Sequence, residues 1–275
     1  MTAPVSLTNK VSSAVAKKVV LFETDFWRYS VRCIFAGVYL TLGTAFAVTL
    51  GQKLDHVVHG VGYPIFGLMF FVGLYTIVLL NAELATSNMM YLGFGVVHKK
   101  LSLSKATQIL LVCTFFNLVG AVLVAFLLSR AVVFSHVDAE SLVSTITETK
   151  LGKSSLGLLV EGILANVAVN MGIIGVAMVK EFSGKFLTLV VTISMFTVMG
   201  LEHVIANFSL VSLVGFSAES LPSHFDAAHI ARNWAIVFIG NLIGGGVCMG
   251  AAYAWLNRGT KNTATKKLID APLIL

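Results

Sequence analysis

Charged residues are scarce in this chain. Asp, Glu, Lys and Arg make up 12% of its 275 residues and hydrophobic residues 57%, whereas a soluble domain carries about 25% charge. The shortage excludes a soluble globular protein and makes the chain integral to a lipid bilayer. Cysteine is nearly missing. Cys33, Cys113 and Cys248 lie in apolar runs without metal-ligand spacing, so core packing is expected of all three, with no metal and no cofactor. The chain has no nucleotide-binding loop and no His-Glu-x-x-His string. No Ser–Lys pair, Ser–His pair or matched aspartates are placed for intramembrane hydrolysis, so an enzyme is not expected. The paired Asn-Pro-Ala strings of a neutral-solute pore of the aquaporin kind are absent too. Residues 1–28 hold Lys10, Lys17, Lys18 and Arg28 without a compact apolar core and cleavage site, so no cleaved signal is expected. The net charge of +6 calls for no nucleic acid, because membrane topology already demands basic loops.

Two of the rare polar stretches match each other. Glu83-Leu84-Ala85-Thr86-Ser87-Asn88 interrupts one apolar run. Glu202-His203-Val204-Ile205-Ala206-Asn207 interrupts another 119 positions later, each with Glu first and Asn five residues on. An ionisable group at a helix centre costs about 2.5–3.5 kcal/mol to insert. Two such strings at matching places therefore predict one feature used twice, on a transport pathway. Six segments reach the length of about 20 apolar residues that a bilayer requires: 29–50, 62–97, 103–133, 155–179, 186–216 and 230–256. The second and fifth are too long for one straight span and contain the polar strings, so both are predicted to be broken helices. Irregular backbone at that depth survives where it is buried in protein or lines a watery cavity.

The repeat extends further. Asn117-Leu118-Val119-Gly120 echoes Asn241-Leu242-Ile243-Gly244, and Gly37 echoes Gly162, at nearly the same offset. Three spans per half is an odd number, so the second half enters from the opposite side. The expected fold is all-α, a 3+3 inverted repeat of six spans with its substrate sites near mid-bilayer. Glycines within the spans, such as Gly240 and Gly244, are expected at close helix contacts. Fourteen of the nineteen Lys and Arg residues fall on the side of the N-terminus; Lys53, Arg130, Lys150, Lys153 and Arg232 fall on the other. By the positive-inside rule both termini are cytoplasmic. Three parts follow: a cytoplasmic N-terminal segment at 1–28, a channel domain at 29–257 and a cytoplasmic tail at 258–275. The stretch from Lys10 to Phe22 reads either as an amphipathic helix on the bilayer surface or as a plain positive anchor.

Taken with Gly162-Ile163-Leu164-Ala165-Asn166, Gly200-Leu201-Glu202-His203 and Gly240-Asn241-Leu242-Ile243-Gly244-Gly245, the first polar string resembles the formate/nitrite transporter family over residues 10–258. The resemblance implies an aquaporin-like fold with a pore in each protomer of a homopentamer, in the plasma membrane of a bacterium. It implies small monovalent anions as substrates: formate, nitrite, hydrosulfide, lactate or acetate. It places a central pore histidine at His203, a loop threonine at Thr86, a pathway asparagine at Asn166 and a vestibule lysine at Lys150. The apolar constrictions resemble Leu74 and Leu84 on one half and Phe196 on the other, with Phe70 nearby. Many relatives carry an aromatic residue where this chain has Ala85, which implies a wider constriction and favours formate together with lactate; nitrite or hydrosulfide is the alternative.

A bare anion crosses apolar constrictions poorly. A weak acid can be drawn in by Lys150, gain a proton as burial disfavours its charged form, and cross neutral past His203 and Thr86, where the central histidine supplies hydrogen bonds or a proton. His203 can act as a neutral imidazole exchanging hydrogen bonds, or as an imidazolium stabilised by Glu202 or by the anion. Several bland readings stand beside these. Lys153 can take the place of Lys150. Thr86 and Ser87 can satisfy freed carbonyls. Glu83, Asn88, Glu202 and Asn207, with Asn117 and Asn241, can support the helix breaks. Phe70, Leu74, Leu84 and Phe196 can be ordinary packing. Glu161 reads as a subunit contact or a vestibule charge.

Overall fold

The computed structural model describes residues 7–257; residues 1–6 and the expected tail at 258–275 lie outside them. The described chain is helical, with no strand beyond an isolated bridge between Val137 and Ala218. In order come α1 (Leu7–Thr24), α2 (Phe26–Asp55), α3 (Gly62–Met69), α4 (Phe71–Leu79), α5 (Ala85–Val97), α6 (Leu103–Ser129), α7 (Leu142–Gly152), α8 (Ser155–Met178), α9 (Phe182–Val198), α10 (Val204–Ser217) and α11 (Ala227–Leu242). A π-helical stretch (Ile243–Ala251) and α12 (Ala252–Leu256) complete it. Five helical stretches are long and apolar enough to cross a membrane: α2, α3 with α4, α6, α8, and α11 through α12. Helices α9 and α10 are apolar and shorter.

Polar caps set the helix starts in the loops. Asp25 accepts from Arg28 N, Ser102 from Lys105 N, Ser154 from Gly157 N, and Asp226 from Ala228 N and His229 N. Each side chain satisfies an N–H that the first helical turn cannot. In the interior, glycine decides how closely helices approach. A Cβ on Gly37 would lie 2.0 Å from the Asn117 carbonyl oxygen, and one on Gly120 2.1 Å from that of Ile34, so α2 and α6 cross backbone to backbone. In the other half, a Cβ on Gly244 would lie 2.1 Å from the Ile163 oxygen, and one on Gly240 2.6 Å from that of Leu159. Small residues give membrane helices the contact that hydrophobicity cannot supply in lipid. Outward faces carry exposed Phe35, Phe46, Leu123, Phe126 and Leu164, a surface suited to hydrocarbon.

Two features differ from the sequence reading. Helix α1 presses its stripe of Leu7, Val11 and Val15 onto the protein rather than onto lipid; Val15 fills the space beside Gly95, and Lys10 Nζ donates to the Ala177 carbonyl at 2.6 Å. Cys248 is exposed on the π-helical stretch, whereas Cys33 and Cys113 are buried as expected. The π winding, with i→i+5 bonds, shifts the face that each residue presents, so an apolar run alone does not place Cys248.

Candidate functional site

Helices α4 and α9 end the same way, 119 residues apart. Asn81 (φ 55°) and Gly200 (φ 73°) adopt the left-handed conformation. Just beyond them Ala82 N donates to Ile77 O at 3.0 Å, and Leu201 N to Phe196 O at 3.1 Å. These are Schellman-type ends, which asparagine and glycine tolerate best. Two residues of each polar string then run outside any helix, Glu83-Leu84 and Glu202-His203, before α5 and α10 begin.

One asparagine clamps each step. Asn117 Oδ1 accepts from Ala85 N at 2.9 Å, while its amide donates to Glu83 O (2.9 Å) and Cys33 O (2.8 Å). Asn241 Oδ1 accepts from Val204 N at 2.9 Å, while its amide donates to Glu202 O (2.9 Å) and Gly162 O (2.8 Å). The N–H groups of Ala85 and Val204 and the carbonyl of Glu202, outside any helical ladder, depend on these amides, and a buried backbone group left without a partner costs about 1–3 kcal/mol. The carboxylates are handled alike. Glu83 Oε2 accepts from Asn88 Nδ2 (3.0 Å) and Lys18 Nζ (2.6 Å). Glu202 Oε2 accepts from Asn207 Nδ2 (2.6 Å), and its Oε1 accepts from Lys150 (3.0 Å) and Lys153 (2.8 Å).

The two steps meet at Thr86 and His203. Thr86 Oγ1 and His203 Nε2 are 2.8 Å apart, both buried. His203 is also the N-cap of α10: its Nδ1 accepts from Ala206 N at 3.1 Å. A ring nitrogen that accepts carries no proton, so the neutral ring holds its proton on Nε2 and donates it to Thr86. The threonine hydroxyl hydrogen is then free to point elsewhere. Phe196 stands against the histidine, ring centroids 6.0 Å apart, and Phe70 packs edge-on against Phe196. Leu74, Leu84 and Ala85 are buried. Asn166 turns its amide to the Thr86 carbonyl (3.2 Å), the Met89 sulfur (3.3 Å) and the Asn241 carbonyl (2.7 Å). Asn170, one turn on, donates to Thr86 O and to Asn166.

A cavity opens near each lysine group. One, of about 300 Å³, is lined by Lys150, Lys153, Tyr63, Thr145, Thr149 and Gly200 among others. The other, of about 150 Å³, is lined by Lys18, Leu84, Ser87, Tyr91 and Ile173 among others. Helix α7, which carries Lys150, is anchored by the start of α11 and by the loop before it. Arg232 donates to its Leu151 carbonyl, and Asn233 to its Lys150 carbonyl. Glu148 accepts from Ser223 Oγ at 2.6 Å, from His224 N at 3.0 Å and from the His224 ring. Partial burial pushes the Glu148 carboxyl up, but the hydrogen bonds from Ser223 and His224 outweigh it and hold the group below its usual range. A depressed carboxyl stabilises the fold above its unfolded pKa and loses that contribution as pH falls through the lower folded value. The anchor therefore holds at mildly acid pH.

The sequence alone does not single out Lys18 or Asn170, and it offers Lys153 only as a substitute for Lys150. Asn170 follows Asn166 by four residues and so shares its helix face, a spacing visible in the sequence. Lys18 has no local cue; the signal was a second buried carboxylate requiring a cation.

Fold and site together define an all-helical membrane protein with a buried histidine–threonine contact and two lysine-lined cavities, neither of which that pair lines. The profile of the formate/nitrite transporter family matches residues 5–255. The formate channel BtFdhC of Bacillus thuringiensis is 31% identical over 221 residues, 79% of this chain and 82% of that protein. The nitrite transporter NirC of Escherichia coli is 30% identical over 245 residues, 89% of each. Among solved structures, an FNT family ion channel superposes with a TM-score of 0.85 at 28% identity, covering 92% of this chain and 99% of that one. A pentameric formate channel with formate bound shares the fold at TM-score 0.66 and 22% identity, covering 84% and 96%. The chain belongs to the formate/nitrite transporter family, whose named members are channels and transporters rather than enzymes.

Proposed function

We propose that this protein passes small monovalent weak-acid anions, formate first and a bulkier monocarboxylate such as lactate or acetate with it, each accompanied by a proton. The Thr86–His203 contact carries this reading. A neutral imidazole and a hydroxyl 2.8 Å apart offer a carboxylic acid one acceptor and one donor at a buried point. Lysines at the two cavities attract the anion. As it leaves water its charged form is disfavoured, so it takes a proton and crosses the collars of Phe70, Leu74, Leu84 and Phe196 neutral. Asn166 acts on this path by holding the Thr86 carbonyl. Asn88, Glu83, Glu202 and Asn207 brace the helix starts around it, whereas Ser87 Oγ, buried without a hydrogen-bond partner beside the Lys18 cavity, satisfies no freed carbonyl.

We infer further that the two clamped steps are breaks in the second and fifth of six spans related as a 3+3 inverted repeat. The matched clamps and nearly equal offsets support this. Residues 1–28 and 258–275 then flank the channel domain on the cytoplasmic side of a bacterial plasma membrane, in a homopentamer. The bias of basic residues supports that orientation, as does Thr8 bonding to the Asn257 carbonyl at 3.2 Å, which brings both ends of the described chain to one face. Nitrite is the second reading, supported by the similarity to a nitrite transporter over 89% of each chain.

The test is uptake of radiolabelled formate, lactate and nitrite into proteoliposomes at acid and neutral pH, with and without a proton ionophore. Saturable formate uptake that rises at acid pH and collapses with the ionophore is expected. Uptake indifferent to pH, with a current of net negative charge, would sink the neutral passage. Size selection has its own check at Ala85, whose side chain is fully buried at the start of α5. Ala85→Phe is expected to slow lactate far more than formate; equal losses for both would remove Ala85 as the size filter.

A further inference from the structure

Glu161 meets Lys153 beside the Lys150 cavity and has no part in the passage proposed above. An ammonium has three N–H donors. Those of Lys153 meet Glu161 Oε2 (2.5 Å), Gly200 O (2.8 Å) and Glu202 Oε1 (2.8 Å). The group is saturated, so an arriving anion reaches it only by replacing one acceptor. Gly200 O is backbone, fixed by the turn that ends α9. The Glu202 side chain is 0% exposed and is also held by Lys150 and Asn207. The Glu161 side chain is 30% exposed and comes from α8, outside the clamped step. Water can therefore take over its carboxylate when the lysine lets go, which makes it the acceptor cheapest to exchange. Lys150 differs: it spends two donors, on Leu201 O (3.2 Å) and Glu202 Oε1 (3.0 Å), and keeps one. Both ammoniums touch the same Glu202 oxygen and line the same cavity. One small carboxylate can bridge the spare donor of Lys150 and the donor that Glu161 gives up.

We propose that Glu161 is a tethered competitor for the solute anion: its carboxylate occupies the Lys153 donor that an incoming monovalent anion takes over. This rests on the anion passage proposed above and adds to it a residue that sets apparent affinity. The exchange is one carboxylate for another, so the charge around Lys153 stays balanced at every stage. Glu161 is a positioning residue, acting on the solute through Lys153.

The experiment is the formate concentration dependence of initial uptake in proteoliposomes, for the wild-type protein and for Glu161→Gln, Glu161→Asp, Lys153→Gln and the Glu161→Gln, Lys153→Gln double variant. Glu161→Gln is expected to lower the half-saturating concentration about threefold to fivefold, the scale of a partly exposed ion pair. Glu161→Asp keeps the competitor and stays closer to wild type. Lys153→Gln raises the half-saturating concentration, and the double variant matches it, because nothing is left to compete for. If Glu161→Gln fails to assemble, Glu161→Asp carries the test, with a smaller fall in the half-saturating concentration expected from its shorter reach to Lys153. A half-saturating concentration unmoved in the variants that assemble, with a shift confined to melting temperature, makes the pair a structural strap and overturns the inference alone. A wild-type protein without saturable formate or nitrite flux removes the passage itself and this inference with it.

Discussion

Formate uptake through the His203→Ala protein is expected to fall roughly tenfold to a hundredfold. That is the cost of losing a hydrogen bond of about 1.5–3 kcal/mol from a dry constriction. The substitution removes two things at once: the donor facing Thr86 and the acceptor that caps Ala206 N. His203→Asn separates them. Asparagine is among the best N-caps and keeps the centre polar, so this variant is expected to assemble normally and retain most of the flux. It should also retain acid stimulation, because on the proposed route the solute gains its proton as it leaves water, not from the ring. Initial rates at acid and neutral pH, with size-exclusion profiles as the assembly control, decide the matter. Unchanged flux in His203→Ala would remove the histidine from the passage. Acid stimulation lost in a well-assembled His203→Asn would mean that the imidazole itself carries the proton.

Glu202→Ala is expected to be the most destabilising single substitution at the site. It strips a shared acceptor from Lys150 and Lys153 and leaves the Asn207 amide without its 2.6 Å partner. Removing one partner of a buried ion pair costs about 3–5 kcal/mol, because the remaining charge is uncompensated. Glu83→Ala supplies the internal comparison. Its cation, Lys18, sits on α1, a helix docked on the protein rather than threaded through it, so the freed ammonium can swing into water. The Glu83 variant is therefore expected to lose less stability and to expose α1 to protease. Heating in detergent followed by size exclusion measures the first effect, and limited proteolysis the second. Equal losses in the two variants would show that the second half does not depend on its doubled lysine.

Much of this site is legible in the sequence because its polar residues are so few. In an apolar chain, Glu83, Asn88, Glu202 and Asn207 stand out, and their common spacing marks a feature used twice. Asn117 and Asn241 surface as matched words for the same reason. What the sequence conceals has physical causes. Lys18 meets Glu83 across 65 residues, and no local pattern encodes that meeting. The stripe of Leu7, Val11 and Val15 declares a helix with one apolar face, but periodicity does not distinguish lipid from protein as its neighbour. The π winding at 243–251 leaves the apolar pattern intact, with Gly244-Gly245-Gly246 its sole cue. A Cβ on Gly245 would lie 2.3 Å from Asn166 Nδ2, so that glycine makes room for the amide reaching Thr86. The division of labour between Lys150 and Lys153 depends on counting donors, which requires distances.

The bonds that cross between the two steps bear on how turnover proceeds. Thr86 binds His203 through its hydroxyl, and Asn166 and Asn170 through its carbonyl. A rocker-switch machine parts its halves in every cycle, and parting them here would strip those groups of partners in a medium that offers no others. On the proposed reading the protein works as a stationary sieve. Solute and proton move while the crossed steps hold, so the gradients of both across the membrane decide which way material flows.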